Sequence, residues 1–190
     1  MRKLCYFVAL TVDGKISGPN GETEHFPLEG DHIAAQIELL PETLPVHVRQ
    51  ALGLPAPQGR FDTVLMGRKT YAPALALGIA DPYAPLATIV FSRELPARTE
   101  GKLRITAEDP AAVVRELRAR PGRDIWLCGG GSLAGRLADE IDELVIKVNP
   151  VWSGAGVGLF DGPFRPTRLV LRDQRRFESG VVWLTYDRAR

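Results

Sequence analysis

The chain has 190 residues, of which 45% are hydrophobic and 25% charged, and its formal net charge is +1. This composition is typical of one soluble globular domain, and the small net charge argues against binding to nucleic acid or to an anionic membrane. No apolar run approaches the roughly 20 residues that span a bilayer, and polar Thr11, Asp13 and Lys15 interrupt the apolar start, so we expect a cytoplasmic protein.

Short apolar runs bounded by turn residues alternate along the chain with helical patterns. The predicted strands cover 3–11, 63–66, 87–91, 103–106, 124–128, 143–148, 169–177 and 181–186. The predicted helices cover 31–40, 43–52, 68–75, 111–119 and 132–138, with Asp31 as the cap of the first and Asp109-Pro110 as the start of the fourth.

Strands that alternate with helices predict a three-layer α/β/α sandwich around a mixed, mostly parallel sheet of about eight strands. Ser179-Gly180 predicts a tight turn that joins the last two strands into an antiparallel hairpin. The stretch 41–60 is rich in proline and glycine, and we interpret it as an insertion within a single domain.

The fifth strand runs into three glycines, Gly129 to Gly131, followed by Ser132, Leu133 and a helix. Glycines allow the backbone to approach a ligand closely, and a helix start offers unpaired N–H groups, so this turn suits a pyrophosphate. A tight turn without a ligand is the alternative. A standard Rossmann domain is disfavoured, because its glycine fingerprint normally lies in the first strand-helix turn.

A second strand ends in Gly67-Arg68-Lys69-Thr70, which places two cations and a hydroxyl at a helix start. Basic residues oppose the helix dipole at this end, and a bound phosphate would offset that. The segment lacks the upstream glycine of a P-loop, which argues against phosphoryl transfer. A solvated surface turn is the alternative interpretation.

A third strand ends in Ser92-Arg93, and a guanidinium is well suited to bidentate phosphate contacts. Alone, such a pair is usually plain surface. The carboxyl ends of parallel strands meet at one edge of a sheet, however, and ligands bind there. A dinucleotide with an extra ribose phosphate would contact all three motifs.

The loop after the first strand holds Asp13-Gly14, which we interpret as a plain turn, and then a Gly/Pro-rich segment able to cover a cofactor. Acid–base candidates cluster after it. They are Glu22, Glu24, His25, Glu29, Asp31 and His32. No spaced Cys/His set predicts a metal site, and no nucleophile elbow is present.

The order of these segments resembles the dihydrofolate reductase fold and, more closely, the reductase domain of the riboflavin-biosynthesis deaminase-reductase and its stand-alone relatives. The resemblance covers nearly the whole chain apart from 41–60. The matching segments are 11–17, 66–71, 127–133, 142–144, 149–151 and 154–160.

The resemblance implies NADPH as cofactor and often a homodimer. It implies an adenine ribose phosphate near Arg68, Ser92 and Arg93, and a pyrophosphate between two groups of residues. Lys69 and Thr70 form one of these groups, and the segment from Gly129 to Leu133 forms the other. Ala9, Ile16 and Asn20 are implied to lie beside the nicotinamide.

For the substrate, folate reductases carry one acidic residue at the start of the helix after the first loop, and Glu29 or Asp31 takes that neighbourhood in this chain. The first hypothesis is therefore an NADPH-dependent reductase acting on a pterin, folate or ribosylaminopyrimidine. The second is an NADPH-binding module without turnover.

Overall fold

The computed structural model describes residues 1–189, which form one nine-stranded sheet, a separate two-stranded sheet and five α-helices. The strands are β1 (Leu4–Thr11), β2 (Lys15–Ser17), β3 (Phe61–Gly67), β4 (Ala87–Phe91), β5 (Arg98–Glu100), β6 (Leu103–Thr106), β7 (Asp124–Gly129), β8 (Glu143–Asn149), β9 (Val157–Gly158), β10 (Leu169–Arg176) and β11 (Val182–Arg188). The helices are α1 (Asp31–Leu39), α2 (Val46–Ala51), α3 (Arg68–Ala76), α4 (Pro110–Arg118) and α5 (Gly131–Arg136), and a 3-10 turn covers Pro41–Thr43.

The large sheet has the strand order β10-β11-β8-β1-β7-β3-β4-β6-β5. The six strands from β8 to β6 are parallel to one another, and β11, β10 and β5 add antiparallel pairs at the two sides. The prediction of a mixed, mostly parallel sheet with a C-terminal hairpin is confirmed. Because the central strands are parallel, their carboxyl ends lie along one edge.

Helices cover both faces of this sheet, as the sequence predicted. One face packs Tyr6, Leu127 and their neighbours against α4 and α5, through Val114 and Leu137. The other face packs its own apolar row, including Trp126, against α1 and α3. Apolar side chains therefore alternate between two cores, which is why the strands read as nearly continuous apolar runs.

All eight predicted strands are present, and three short strands were not predicted. β2 and β9 pair with each other, and β5 is exposed throughout. None of the three is long enough to show a period-2 pattern, which explains why they were not predicted.

Two predicted helix starts differ in how they are capped. Asp109 is the N-cap of α4, and its carboxylate accepts a hydrogen bond of 3.1 Å from the Ala112 amide, as predicted. The prediction that Asp31 caps α1 is wrong, because Gly30 is the N-cap and makes no side-chain cap bond. Asp31 is the first helical residue, and its carboxylate turns toward the last hairpin.

The stretch 41–60 packs onto the rest of the domain. Glu42 is fully buried and accepts a hydrogen bond of 2.8 Å from the Phe61 amide at the start of β3. Arg49 on α2 donates to the carbonyl of Ala84. These contacts tie the stretch to the parallel sheet, and its status as an insertion stays a prediction.

One edge strand has both faces exposed. All eight residues of β10 are exposed, including Leu169, Val170 and Leu171, and so are the residues from 161 to 168 before it. Across residues 1–189, no helix has the length and apolar character that crossing a membrane requires.

Candidate functional site

Two glycine turns lie side by side at the carboxyl edge of the sheet. β3 ends at Gly67 and β7 at Gly129, and Met66 is in register with Gly129. A Cβ built on Gly67 would lie 3.8 Å from the carbonyl oxygen of Gly129 and 3.9 Å from the nitrogen of Gly130. A methyl group at position 67 would therefore be in van der Waals contact with the backbone of the other turn, and glycine leaves these backbone groups uncovered.

The first turn of α3 and β2 lie beside these two glycine turns. A Cβ on Gly130 would lie 3.6 Å from Thr70 Oγ1 and 3.7 Å from Ile16 Cδ1, and one on Gly129 would lie 3.9 Å from Thr70 Oγ1. Gly129 has a φ of +137°, which an L side chain rarely adopts, and the Gly129–Gly130 peptide bond is cis. We call this arrangement of Ile16, Gly67, Thr70, Gly129 and Gly130 the glycine cradle.

The floor of the cradle is formed by β9. A Cβ on Gly131 would lie only 2.3 Å from the carbonyl oxygen of Gly158, so the two backbones are in direct contact. Leu133 lies in the core and Ser132 is exposed. Because α5 has only six residues, close backbone approach is the main feature of this turn, and the helix dipole adds little.

The predicted cations lie together at the tips of β3 and β4. Arg68 pairs with Glu94 at 3.0 Å, which joins the start of α3 to the loop after β4. In that loop, the Ser92 hydroxyl oxygen accepts hydrogen bonds from the amides of Glu94 at 3.1 Å and Leu95 at 2.8 Å. Arg93 and Lys69 are exposed. The structure thus brings the second and third motifs into contact.

Asp13, interpreted from sequence as a plain turn residue, connects two loops. Its carboxylate accepts hydrogen bonds from the Thr11 hydroxyl at 2.6 Å and from the amides of Ser153 and Gly154 at 3.1 and 2.8 Å. The bond from Thr11, reinforced by these amides, lowers the pKa of Asp13 to about 2. This contact holds the loop after β1 against the loop before β9.

The three residues assigned to the nicotinamide lie in different surroundings. Ala9 is partly buried on β1, in register with Lys147 of β8, and Ile16 lines the cradle. Asn20 is exposed, and its side chain donates to Glu22 Oε1 at 2.8 Å. The structure therefore brings Ile16 to the cradle and holds Asn20 in an internal contact of the loop.

The two acidic candidates differ sharply. Asp31 accepts hydrogen bonds from the amides of Glu178 at 2.7 Å and Ser179 at 3.2 Å. Desolvation pushes the pKa of Asp31 upward, but these hydrogen bonds outweigh it and leave the pKa below its usual value. His32 lies 2.8 Å from the Ser179 hydroxyl through Nδ1, so both residues hold the hairpin turn. Glu29 is exposed.

A site residue that the sequence reasoning missed is Lys147. Its Nζ lies 2.7 Å from Gln36 Oε1 and 4.9 Å from the centre of the Phe7 ring. Burial lowers its pKa to about 8. The signal that was available is a lone lysine in the middle of an apolar strand, where charged side chains are rare.

An apolar cavity lies elsewhere in the fold. It has a volume of about 360 Å³ and lies between α5, the amino end of β8 and the segment before β10, with Leu144, Phe160 and Leu169 in its wall. Within residues 1–189, no three His, Cys, Asp or Glu side chains converge as they would around a metal ion.

These features define an α/β domain with paired glycine turns and cations at the carboxyl ends of its parallel strands. A model of the RibD C-terminal domain matches residues 2–183, and the chain belongs to that family. It is 28% identical over 193 residues, 99% of each chain, to the uncharacterized protein YwjB of Bacillus subtilis (strain 168).

Solved structures share the fold. A Shewanella sp. PV-4 protein ascribed to riboflavin biosynthesis superposes with a TM-score of 0.72 at 22% identity, over the whole of both chains. A Thermotoga maritima diaminohydroxyphosphoribosylaminopyrimidine deaminase/5-amino-6-(5-phosphoribosylamino)uracil reductase gives a TM-score of 0.65 at 14% identity, over 99% of this chain and 57% of that one.

Proposed function

We propose that this protein is an NADPH-dependent reductase that acts on a small heterocyclic substrate of the pterin, folate or ribosylaminopyrimidine type. Membership of the RibD C-terminal domain family and the fold shared with a uracil reductase support a reductase-like role. The observation that carries the cofactor assignment is the glycine cradle, where two strand ends present neighbouring backbone groups that no side chain covers.

The cradle fits a pyrophosphate on geometric grounds. Backbone groups of Gly67, Gly129 and Gly130 lie next to one another, and the Thr70 hydroxyl lies beside them as a donor. Lys69 on the first turn of α3 adds positive charge. We assign the pyrophosphate to the surface over these two turns, where backbone amides, the hydroxyl and the lysine would hold it.

The cluster of Arg68, Ser92 and Arg93 fits the extra phosphate of NADPH. Both guanidinium groups extend from neighbouring strand tips, and Glu94 neutralises only one of them in the ion pair with Arg68. Arginine binds phosphate through a planar, two-pronged set of donors. We therefore expect NADPH to be preferred over NADH.

When bound, NADPH supplies the hydride. The chain's own contribution is to orient the cofactor. Ile16 packs at the cradle, and Ala9 offers a small side chain near the carboxyl end of β1. The Asp13 contact holds the loop after β1 close to this region. Glu29 remains the proposed acidic residue for proton supply, whereas Asp31 serves the final hairpin.

The glycine cradle can be tested by replacing Gly67 with alanine. Gly67 has φ −82° and ψ 164°, which alanine adopts readily, and its Cβ would meet no atom closer than 3.8 Å. We expect Gly67→Ala to fold with unchanged stability and to lose NADPH affinity at least tenfold in calorimetry. Gly162→Ala, which lies outside the cradle and has its nearest contact at 3.8 Å, is the matched control.

Turnover separates the two hypotheses of function. Loss of NADPH absorbance is measured with dihydrofolate, dihydropterins and ribosylaminopyrimidines as substrates. Oxidation of NADPH with one of these, and none without substrate, supports the reductase. Tight NADPH binding without oxidation by any of them identifies a binding module, and absence of NADPH binding contradicts both hypotheses.

We also propose a homodimer formed through β10. The strand is an exposed edge with apolar Leu169, Val170 and Leu171 uncovered, and the 360 Å³ cavity lies next to it. Unpaired edge strands of this kind pair readily with another chain. Sedimentation of the wild type should show a dimer, and the Leu171→Lys variant should be a folded monomer. A wild-type protein that sediments as a monomer would contradict the proposed dimer.

A further inference from the structure

Lys147 lies on a mostly apolar face of the sheet, which it shares with Glu143 and Asn149 of the same strand. On β8 it stands in register with Ala9 of β1 and Trp183 of β11. Its Nζ lies 4.9 Å from the centre of the Phe7 ring, in the geometry of a cation–π contact. The side chain therefore lies on the face that α1 covers, near the ends of the central parallel strands.

A chain of hydrogen bonds fixes the ammonium group. Lys147 donates to Gln36 Oε1 at 2.7 Å, and Gln36 Nε2 donates to Thr43 Oγ1 at 2.9 Å. The Thr43 hydroxyl in turn donates to the carbonyl of Leu40 at 2.7 Å. Because the amide nitrogen of Gln36 is already engaged by Thr43, its oxygen must face the lysine. Residues of α1 and of the 3-10 turn after it therefore fix the position of the ammonium group.

The charge of Lys147 is not balanced by an acid. Among residues 1–189, its ammonium contacts the neutral amide of Gln36 and the Phe7 ring and forms no ion pair with a carboxylate. An ammonium group has three N–H donors, so one is still available to a ligand. A half-buried cation without an ionic partner destabilises the folded chain, and a hydrogen bond to a ligand oxygen would offset that destabilisation.

The surroundings of Lys147 are accessible and otherwise uncharged. Ala9, Cys128 and Lys147 are each only partly buried, although the residues before them in β1, β7 and β8 are mostly buried. The titratable neighbours on adjoining elements are the Cys128 thiol and the Tyr83 hydroxyl, 3.9 Å apart. Burial raises the pKa of both groups, that of Cys128 to about 12, so both stay neutral near pH 8.

We propose that Lys147 is a substrate-binding residue whose ammonium donates a hydrogen bond to a carbonyl or enolate oxygen on the heterocyclic ring. This inference rests on the proposed reductase function and narrows its substrates to rings that present an oxygen toward β8. A carboxylate in this role would instead accept hydrogen bonds, and it would therefore select a ring that presents N–H donors. Asp31 is unsuited to that task, since the amides of Glu178 and Ser179 occupy its carboxylate.

The test uses two pyrimidines of similar size on the NADPH-loaded protein. One is 6-aminouracil, which carries two carbonyl oxygens, and the other is 2,4,6-triaminopyrimidine, which carries amino groups in their place. Calorimetry should show that the wild-type protein prefers 6-aminouracil. Lys147→Met should weaken 6-aminouracil binding by about ten- to a hundredfold, as expected for a hydrogen bond to a charged group. Lys147→Arg should retain part of the affinity.

Two controls distinguish a failure of the proposed function from a failure of the role of Lys147. NADPH is titrated first, and Lys147→Met should bind it as the wild type does, since the cradle lies elsewhere. Lys102→Met, which removes an exposed lysine, should leave both pyrimidine affinities unchanged. Absence of NADPH binding to the wild type overturns the proposed function and this inference with it. Intact NADPH binding together with no preference for 6-aminouracil, or no effect of Lys147→Met, overturns the role of Lys147 alone.

A second readout is independent of affinity. The Cε carbon of Lys147, assigned by comparing NMR spectra of the wild type with those of Lys147→Met, should titrate near pH 8 in the protein without ligand, and its titration is then recorded in the NADPH complex. Adding 6-aminouracil should move that titration to higher pH, because an oxygen acceptor favours the charged form. An unmoved titration under saturating 6-aminouracil contradicts direct contact.

Discussion

Replacing Lys147 by methionine is expected to stabilise the protein at neutral pH. Burial lowers the pKa of Lys147 from 10.5 to about 8, so the folded protein binds this proton less tightly than the unfolded chain. A difference of about 2.5 in pKa corresponds to roughly 3 kcal/mol, at about 1.4 kcal/mol for each pKa unit. Partial exposure of the side chain reduces this figure, and Lys147→Met also loses the Gln36 hydrogen bond, worth about 1 kcal/mol. The variant is therefore expected to gain about 1–2 kcal/mol in its free energy of unfolding.

The lowered pKa of Lys147 determines how the stability difference between the wild type and Lys147→Met changes with pH. Lys147 is a base with a lowered pKa, so its destabilising effect is fully present below pH 8 and fades as the pH rises toward 10.5. The free energy of unfolding is measured with urea for the wild type and Lys147→Met between pH 7 and pH 10.5. The advantage of the variant should shrink over that range.

Two outcomes would refute the reasoning about Lys147. The first is a Lys147→Met variant that is less stable than the wild type at pH 7, which would mean that the lysine has a compensating partner. The second is an advantage that is the same at every pH. Lys102→Met, at an exposed lysine, should show no comparable pH-dependent change.

Further predictions concern the cofactor region. Arg68→Ala and Arg93→Ala should each weaken NADPH binding about ten- to a hundredfold and NADH binding little; equal losses for both cofactors would place the ribose phosphate elsewhere. Glu94→Gln should tighten NADPH binding severalfold, because it frees the partner of a 3.0 Å ion pair, and unchanged NADPH affinity would contradict this. Gly131→Ala should lower the free energy of unfolding by about 1–3 kcal/mol, since its Cβ would lie 2.3 Å from a carbonyl oxygen; Gly158→Ala, whose Cβ meets nothing closer than 3.5 Å, should cost less.

The central sheet was predictable because its strands are short apolar runs with clear turn residues at both ends. The helix start at Asp109 was equally clear, since a carboxylate before proline is a strong cap signal. The pairing of β2 with β9 was not predictable. It joins Lys15–Ser17 to Val157–Gly158, far apart in sequence, and such short strands carry no pattern of their own.

The grouping of residues that we propose for the cofactor was predictable from sequence, because each part is a local segment of the chain. Gly67 to Thr70 and Gly129 to Gly131 each form a strand-to-helix turn, and parallel topology brings such turns to one edge. The contact between Arg68 and Glu94 depends on side-chain direction, which the sequence does not specify.

The polar residues that we considered for the proposed substrate were harder to predict, because they act through tertiary contacts. Asp31 has the expected residue type at the expected place, yet its carboxylate binds amides of a hairpin almost 150 residues later in the chain. Lys147 is hidden in an apolar strand, and only the packing of α1 against β8 shows its link to Gln36. Local patterns do not specify such pairings.

The walls of the glycine cradle come from four separated parts of the chain, near residues 16, 67, 130 and 157. An amino-terminal fragment that ends before residue 157 lacks the last of them, because β9 follows β8 in the chain. In the proposed reductase, nucleotide capture is therefore a property of the finished domain. Fluorescence of bound NADPH would then follow the final step of refolding, after helical signals recorded by circular dichroism have already recovered.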